Sequence, residues 1–111
     1  MGKTGLLGEL EQLILIAVVS LGADGAYAVA IHGELEKRTG LKFSLGSIYV
    51  TLDRLHRKGL LHSDFADPLP QRGGKARRMF TLTAEGADML HRSRHAFESM
   101  WQAVTPRWEE S

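Results

Sequence analysis

Leu6, Leu7, Leu10, Leu13, Ile14, Ala17, Val18 and Leu21 recur at spacings of three and four, and Gly22 and Gly25 follow them. That stripe predicts a first helix with one broad apolar face, stopped by the glycines. A second helix is expected over residues 26–38, with Tyr27, Ile31 and Leu35 facing inward. Lys37 and Arg38 suit its last turn, where unpaired carbonyls gather partial negative charge, and Gly40 is a natural stop. Ser44 is placed to cap a third helix that reaches Lys58 and ends at Gly59. On this helix Leu45, Ile48, Leu52 and Leu55 share a face. Gly46, Ser47, Val50, Arg54 and Arg57 gather opposite, with Thr51 and Lys58 beside them. All three prolines lie after residue 67, so nothing interrupts these helices.

Beyond Gly59 the pattern turns strand-like. Residues 60–65 read as one strand and 76–83 as another, in which Arg78, Phe80 and Leu82 alternate with Arg77, Met79 and Thr81. Between them, residues 68–75 form a turn-rich basic tip. Thr83 can cap a fourth helix over 84–105, with Pro106 marking its exit. Along that helix Ala87, Leu90, Arg94, Phe97, Trp101 and Val104 alternate spacings of three and four, a short heptad seam interrupted by Arg94. Since the preceding elements already make a small core, this seam is expected to meet a second copy of the chain.

The fold class expected from this order is mainly α with a small β-hairpin: a winged helix-turn-helix in residues 1–83 and a dimerisation helix in 84–111 of the same compact unit. A length of 111 residues fits one domain. The absence of cysteine excludes disulfide scaffolds, thiolate zinc sites and cysteine nucleophiles. Charge changes the picture more. Residues 37–78 hold ten basic and three acidic side chains, a net +7, whereas the flanks hold four basic and ten acidic, a net −6. A basic middle between acidic ends points to one anion-seeking face. The third helix can enter a DNA major groove, roughly 12 Å wide. The apolar run from Leu13 to Leu21 loosely imitates a secretory signal. However, Glu9 and Glu11 stand at its entrance, and it falls well short of the ~20 apolar residues that cross a bilayer. The expected location is therefore cytoplasmic, without a membrane partner.

Two segments carry a family resemblance. Residues 43–55, Phe-Ser-Leu-Gly-Ser-Ile-Tyr-Val-Thr-Leu-Asp-Arg-Leu, followed by Lys58-Gly59-Leu60-Leu61, resemble the third-helix signature of PadR-like transcriptional regulators. Residues 72–86, Arg-Gly-Gly-Lys-Ala-Arg-Arg-Met-Phe-Thr-Leu-Thr-Ala-Glu-Gly, resemble that family's wing and its Leu-Thr-x-x-Gly junction. Gly25-Ala26-Tyr27 matches the family's Gly-Tyr opening of helix two imperfectly, and Val50 replaces a common proline. The resemblance covers roughly residues 6–104. It implies a short member of the family, homodimeric through its terminal helices. It also implies that aromatic effectors can lodge between those helices. The basic wing and the heptad helix together lead to the expectation of a dimer that sits on a pseudo-palindromic operator and blocks transcription.

The candidate DNA contacts are Ser47, Tyr49, Thr51, Arg54, Arg57 and Lys58 on the third helix, and Arg72, Lys75 and Arg77 on the wing. Short hydroxyls and N–H groups at a helix start suit phosphates and base edges, and Arg54 is the expected guanine reader. Leu90, Phe97, Trp101 and Val104 are the candidate dimer or ligand-pocket residues. No cofactor is expected. His91 and His95 stand four apart, a metal-compatible spacing, but no third ligand is evident and Arg92 and Arg94 would repel a cation. No nucleophile has a base at recognisable spacing, so the chain is not expected to be an enzyme. The alternative is a winged-helix module that docks on proteins without a DNA function. The basic face counts against it, because protein-docking faces expose more apolar anchors.

Overall fold

The structure, a computed structural model, describes residues 5–66 and 77–104. Its elements are α1 (Glu9–Leu21), α2 (Ala28–Thr39), α3 (Leu45–Arg57), β1 (Leu61–Ala66), β2 (Arg77–Leu82) and α4 (Ala84–Gln102). This is the expected winged-helix arrangement, three helices followed by a two-stranded antiparallel hairpin and a longer helix.

α1 is the hub, packed against α2, α3, β2 and α4. Ile14, Leu15, Ile31, Ile48, Leu52, Leu55 and Leu61 are fully buried around it, and Phe80 and Met89 close the core from the hairpin and α4. Each such side chain contributes about 1.5–3 kcal/mol relative to exposure, so the inner face of α3 is firmly anchored and only its other faces are available.

The ends of the helices follow local chemistry. The Ser44 hydroxyl accepts the Ser47 N–H at 3.1 Å, as the sequence predicts for a cap of α3. At Gly40 the backbone is left-handed, with φ 72°, and its N–H closes α2 on the Glu36 carbonyl at 3.0 Å. α2 starts two residues later than expected because the Ala26 carbonyl accepts the Phe80 N–H at 2.8 Å. Committed to the hairpin, Ala26 is buried but not helical, and Tyr27 becomes the extended residue ahead of α2. The stripe begun at Leu6 likewise runs ahead of its helix. Leu7 is buried before α1 begins, and its N–H donates to the buried Ser93 hydroxyl of α4 at 3.0 Å.

β1 and β2 pair from Leu61 opposite Leu82 to Ala66 opposite Arg77. Thr83 then ties α4 to the turn after α3. Its hydroxyl accepts the Gly86 N–H at 3.0 Å and donates to the Gly59 carbonyl at 2.7 Å, while its own N–H reaches the Leu60 carbonyl at 3.2 Å. The first turns of α4 pack on the core through Gly86, Met89 and Ser93. Beyond them Phe97, Met100 and Trp101 are exposed.

Candidate nucleic-acid interface

α3 presents three surfaces. The outward one carries Gly46, Val50, Asp53 and Arg57, all exposed. Ser47 lies at its exposed N-terminal turn, and Tyr49, on the flank towards the hairpin, is 53% exposed. Arg57 Nε sits 3.2 Å from Asp53 Oδ2, one helical turn away, and Asp53 Oδ1 lies 3.9 Å from Arg78 Nη1 on β2. Asp53 thus connects α3 to the hairpin. Surface pairs of this kind add little stability, so Arg57 remains able to exchange the carboxylate for a phosphate.

Between α2, α3 and the hairpin runs a groove of about 550 Å³, lined by Tyr27, Tyr49, Phe65, Arg77, Arg78 and Phe80 among others. The Arg77 guanidinium lies 4.6 Å above the Tyr27 ring, and that of Arg78 lies 5.0 Å from Phe80. Stacking on an aromatic face orients a guanidinium while leaving its edge free for an anion. Arg77, expected as a wing contact, lies at the start of β2. Arg72 and Lys75 lie outside the described residues.

The third surface places three of the expected contacts, Thr51, Arg54 and Lys58, away from the outward face. Thr51 is 3% exposed, sealed into the core beside Ile48 and Leu55, so its hydroxyl has no path to a duplex. Arg54 and Lys58 are turned towards α1, onto Glu11. Lys58 Nζ donates to Glu11 Oε2 at 2.8 Å and Arg54 Nε donates to the same oxygen at 3.3 Å. The other oxygen, Oε1, accepts the Gly8 N–H at 2.9 Å and so caps α1. Arg54, expected to read guanine, and Lys58, an expected DNA contact, are thus both paired with Glu11 in this structure.

Glu11 is the residue that sequence reasoning missed, and it is only 5% exposed. Burial alone would raise its pKa. The Lys58 ammonium, the Gly8 N–H and the Arg54 guanidinium outweigh that and hold it down at about 2. The same contact with Glu11 raises the pKa of Lys58. A carboxylate with a depressed folded pKa contributes stability above its unfolded value, and that stability drains away as pH falls towards the folded value. Glu11→Gln is therefore expected to cost about 3 kcal/mol near pH 7. The gap from the parent should close between roughly pH 5 and pH 2, read by denaturant titration at each pH.

A second candidate surface lies between α1 and α4. This groove of about 660 Å³ is lined chiefly by apolar side chains, including Ile16, Val19, Leu90, Phe97 and Trp101. Leu90 is half-buried against the core, whereas Phe97 and Trp101 are more than half exposed and Val104 is 38% exposed. Arg94, which interrupts the seam, is paired at 2.7 Å with Glu98 one turn on. Ile16 and Val19, 52% and 57% exposed, were not among the expected groove residues. The available signal was the unbroken apolar run Leu13–Val19, which leaves α1 apolar on more than one side. His91 lines this groove and His95 is exposed. No group of three metal-ligating side chains occurs among the described residues.

The model of the Transcriptional regulator PadR-like family matches residues 15–92, from α1 through the hairpin into α4. The chain belongs to the PadR-like family. It is accordingly a transcriptional regulator built on a DNA-binding winged helix, and not an enzyme. Solved structures agree. A PadR-like transcription factor from Bacteroides fragilis is 25% identical, covering 86% of this chain and 85% of its own, with a TM-score of 0.69. A PadR family transcription regulator from Clostridium difficile is 26% identical, covering 83% of this chain and 92% of its own, at 0.64. A complex structure of hsRosR-S1 is 29% identical, covering 94% of this chain and 84% of its own, at 0.66. No curated protein matches the chain. Among the described residues, no helix is long and apolar enough to cross a membrane.

Proposed function

We propose that this PadR-like protein is a homodimeric repressor that sits on a pseudo-palindromic operator and blocks transcription. The observation that carries this reading is the presence of two unlike faces on one small domain. One is the polar and basic surface of α3 and the hairpin, and the other is the apolar groove of α1 and α4, whose exposed Ile16, Val19, Phe97 and Trp101 suit contact with a second copy. Two-fold symmetry then sets the two α3 helices about 34–36 Å apart, in successive major grooves. Residues 1–83 serve as the DNA-binding part and 84–111 as the dimerisation part.

Within this reading Ser47, Val50 and Arg57 meet base edges or nearby phosphates, and Tyr49 and Arg77 grip the backbone from the hairpin side. A groove of 660 Å³ with Phe97 and Trp101 in its wall falls within the range of small-molecule sites. A flat aromatic effector stacked there would favour a dimer geometry that no longer matches the operator.

The test pairs two substitutions in salt-dependent duplex binding. Arg77→Ala is expected to weaken operator and scrambled duplexes alike and to reduce the salt slope by about 1 for each phosphate left unneutralised. Arg57→Ala is expected to cost the operator more than the scrambled duplex, by about 1–3 kcal/mol if it reads a base. Parent-like binding by both variants would contradict this placement of the interface.

A further inference from the structure

A single buried carboxylate on α1 faces two cations from α3. Glu11 Oε2 accepts from both Arg54 Nε and Lys58 Nζ, at 3.3 and 2.8 Å. The cluster therefore retains about one positive charge where the sequence supplies two. Arg54 and Lys58 share the flank of α3 that leads down from Ser47 and adjoins the outward surface. The Arg54 side chain is still 43% exposed and that of Lys58 24% exposed, so either head can swing into solvent without unfolding the helix. Glu11 is 6% exposed at its side chain and cannot follow them. Its place is fixed further by its bond to the Gly8 N–H at the start of α1.

Cations on the flank of a groove-entering helix bind phosphates of any sequence. They raise affinity for all duplexes while adding nothing to discrimination. A phosphate oxygen competing for Arg54 or Lys58 must displace a carboxylate already in contact, in a setting where an ion pair is screened less than at the surface. We propose that Glu11 is a specificity-setting positioning residue: by holding Arg54 and Lys58 against α1, it withholds two cations from the duplex backbone and suppresses sequence-independent binding. This rests on the reading of the protein as a DNA-binding regulator.

The experiment titrates the full chain by fluorescence anisotropy against duplex from its own upstream region and a scrambled duplex of equal length, from about 50 to 300 mM salt. Glu11→Gln is expected to bind the scrambled duplex about tenfold more tightly at the lowest salt. Its log K against log salt should steepen by about 2–4 per dimer, one increment per released cation, and its preference for upstream DNA should fall. Because Glu11→Gln is also destabilising, thermal unfolding of each variant accompanies the titration. A triple variant, Glu11→Gln with Arg54→Gln and Lys58→Gln, lacks both the restraint and the cations, and its slope is expected to return to that of the parent. A folded Glu11→Gln whose slope is unchanged, or which loses affinity for both duplexes, overturns the proposal. So does a triple variant as steep as Glu11→Gln. If the parent binds neither duplex even at low salt, the DNA-binding reading fails first and the proposal falls with it.

Discussion

Phe97→Glu is expected to convert the proposed dimer to a monomer at micromolar concentration while leaving the protomer folded. Phe97 is 53% exposed and lines the groove between α1 and α4, so its replacement removes little from the protomer's own core. At a two-fold interface every substitution occurs twice. In the proposed dimer it would place two carboxylates against a surface that includes Ile16, Val19 and Trp101, from which association would exclude water and leave each charge without a partner. Loss of the dimer also removes the effective-concentration advantage of two linked reading heads, so operator affinity should fall by about a hundredfold or more. Sedimentation and anisotropy on one preparation check both effects. A dimer that persists with parent-like binding would place the dimer interface elsewhere.

Gly86→Ala is expected to have the largest effect on folding. In a solvent-exposed helix this change stabilises by about 1 kcal/mol, because alanine restricts the unfolded chain. At Gly86 packing decides instead. An added Cβ would overlap the Leu60 carbonyl oxygen and come within 2.7 Å of Leu82 Cδ1. The Leu60 carbonyl cannot retreat easily, since it accepts the Thr83 N–H, and Thr83 also bonds to Gly59 and caps α4. The expected cost is about 3 kcal/mol or more, a fall in Tm of roughly 10 °C or greater. Gly33→Ala provides the opposite sign: Gly33 is exposed in the middle of α2 with nothing near its would-be Cβ, so about 0.5–1 kcal/mol of stabilisation is expected. Thermal melts of the two variants side by side separate helix propensity from close packing.

These two glycines show what a sequence does and does not reveal. Ser44, Thr83 and Gly40 announce their roles because caps and helix ends are local, and the inward rows of α3 follow from periodicity alone. The hairpin is legible from the change of period between Leu60 and Thr83. Contacts between distant segments are not. Nothing in the neighbourhood of Glu11 indicates that its partners stand 43 and 47 residues away, so along the sequence Arg54 has no visible restraint. Periodicity puts Thr51 on the rim of the polar face of α3, and packing of α3 into the core decides that this rim is buried. Ala26 and Tyr27 satisfy a helical pattern, yet the hydrogen bond from Phe80 to the Ala26 carbonyl keeps them out of α2. On α1, Ile16 and Val19 are obscured by a stronger stripe on the same helix. In each case tertiary contacts override a sound local rule. The family signature, by contrast, is legible because its two segments encode one helix and one hairpin junction.

The measurement that bears most directly on the central claim is binding of the purified parent protein to labelled duplex from its own upstream region. A scrambled duplex is the control, salt is the variable, and sedimentation gives the stoichiometry. The account predicts two chains per duplex, preference for the upstream sequence and log K falling linearly with log salt. Absence of salt-sensitive binding to either duplex at low salt would contradict it and favour a winged helix that docks on protein.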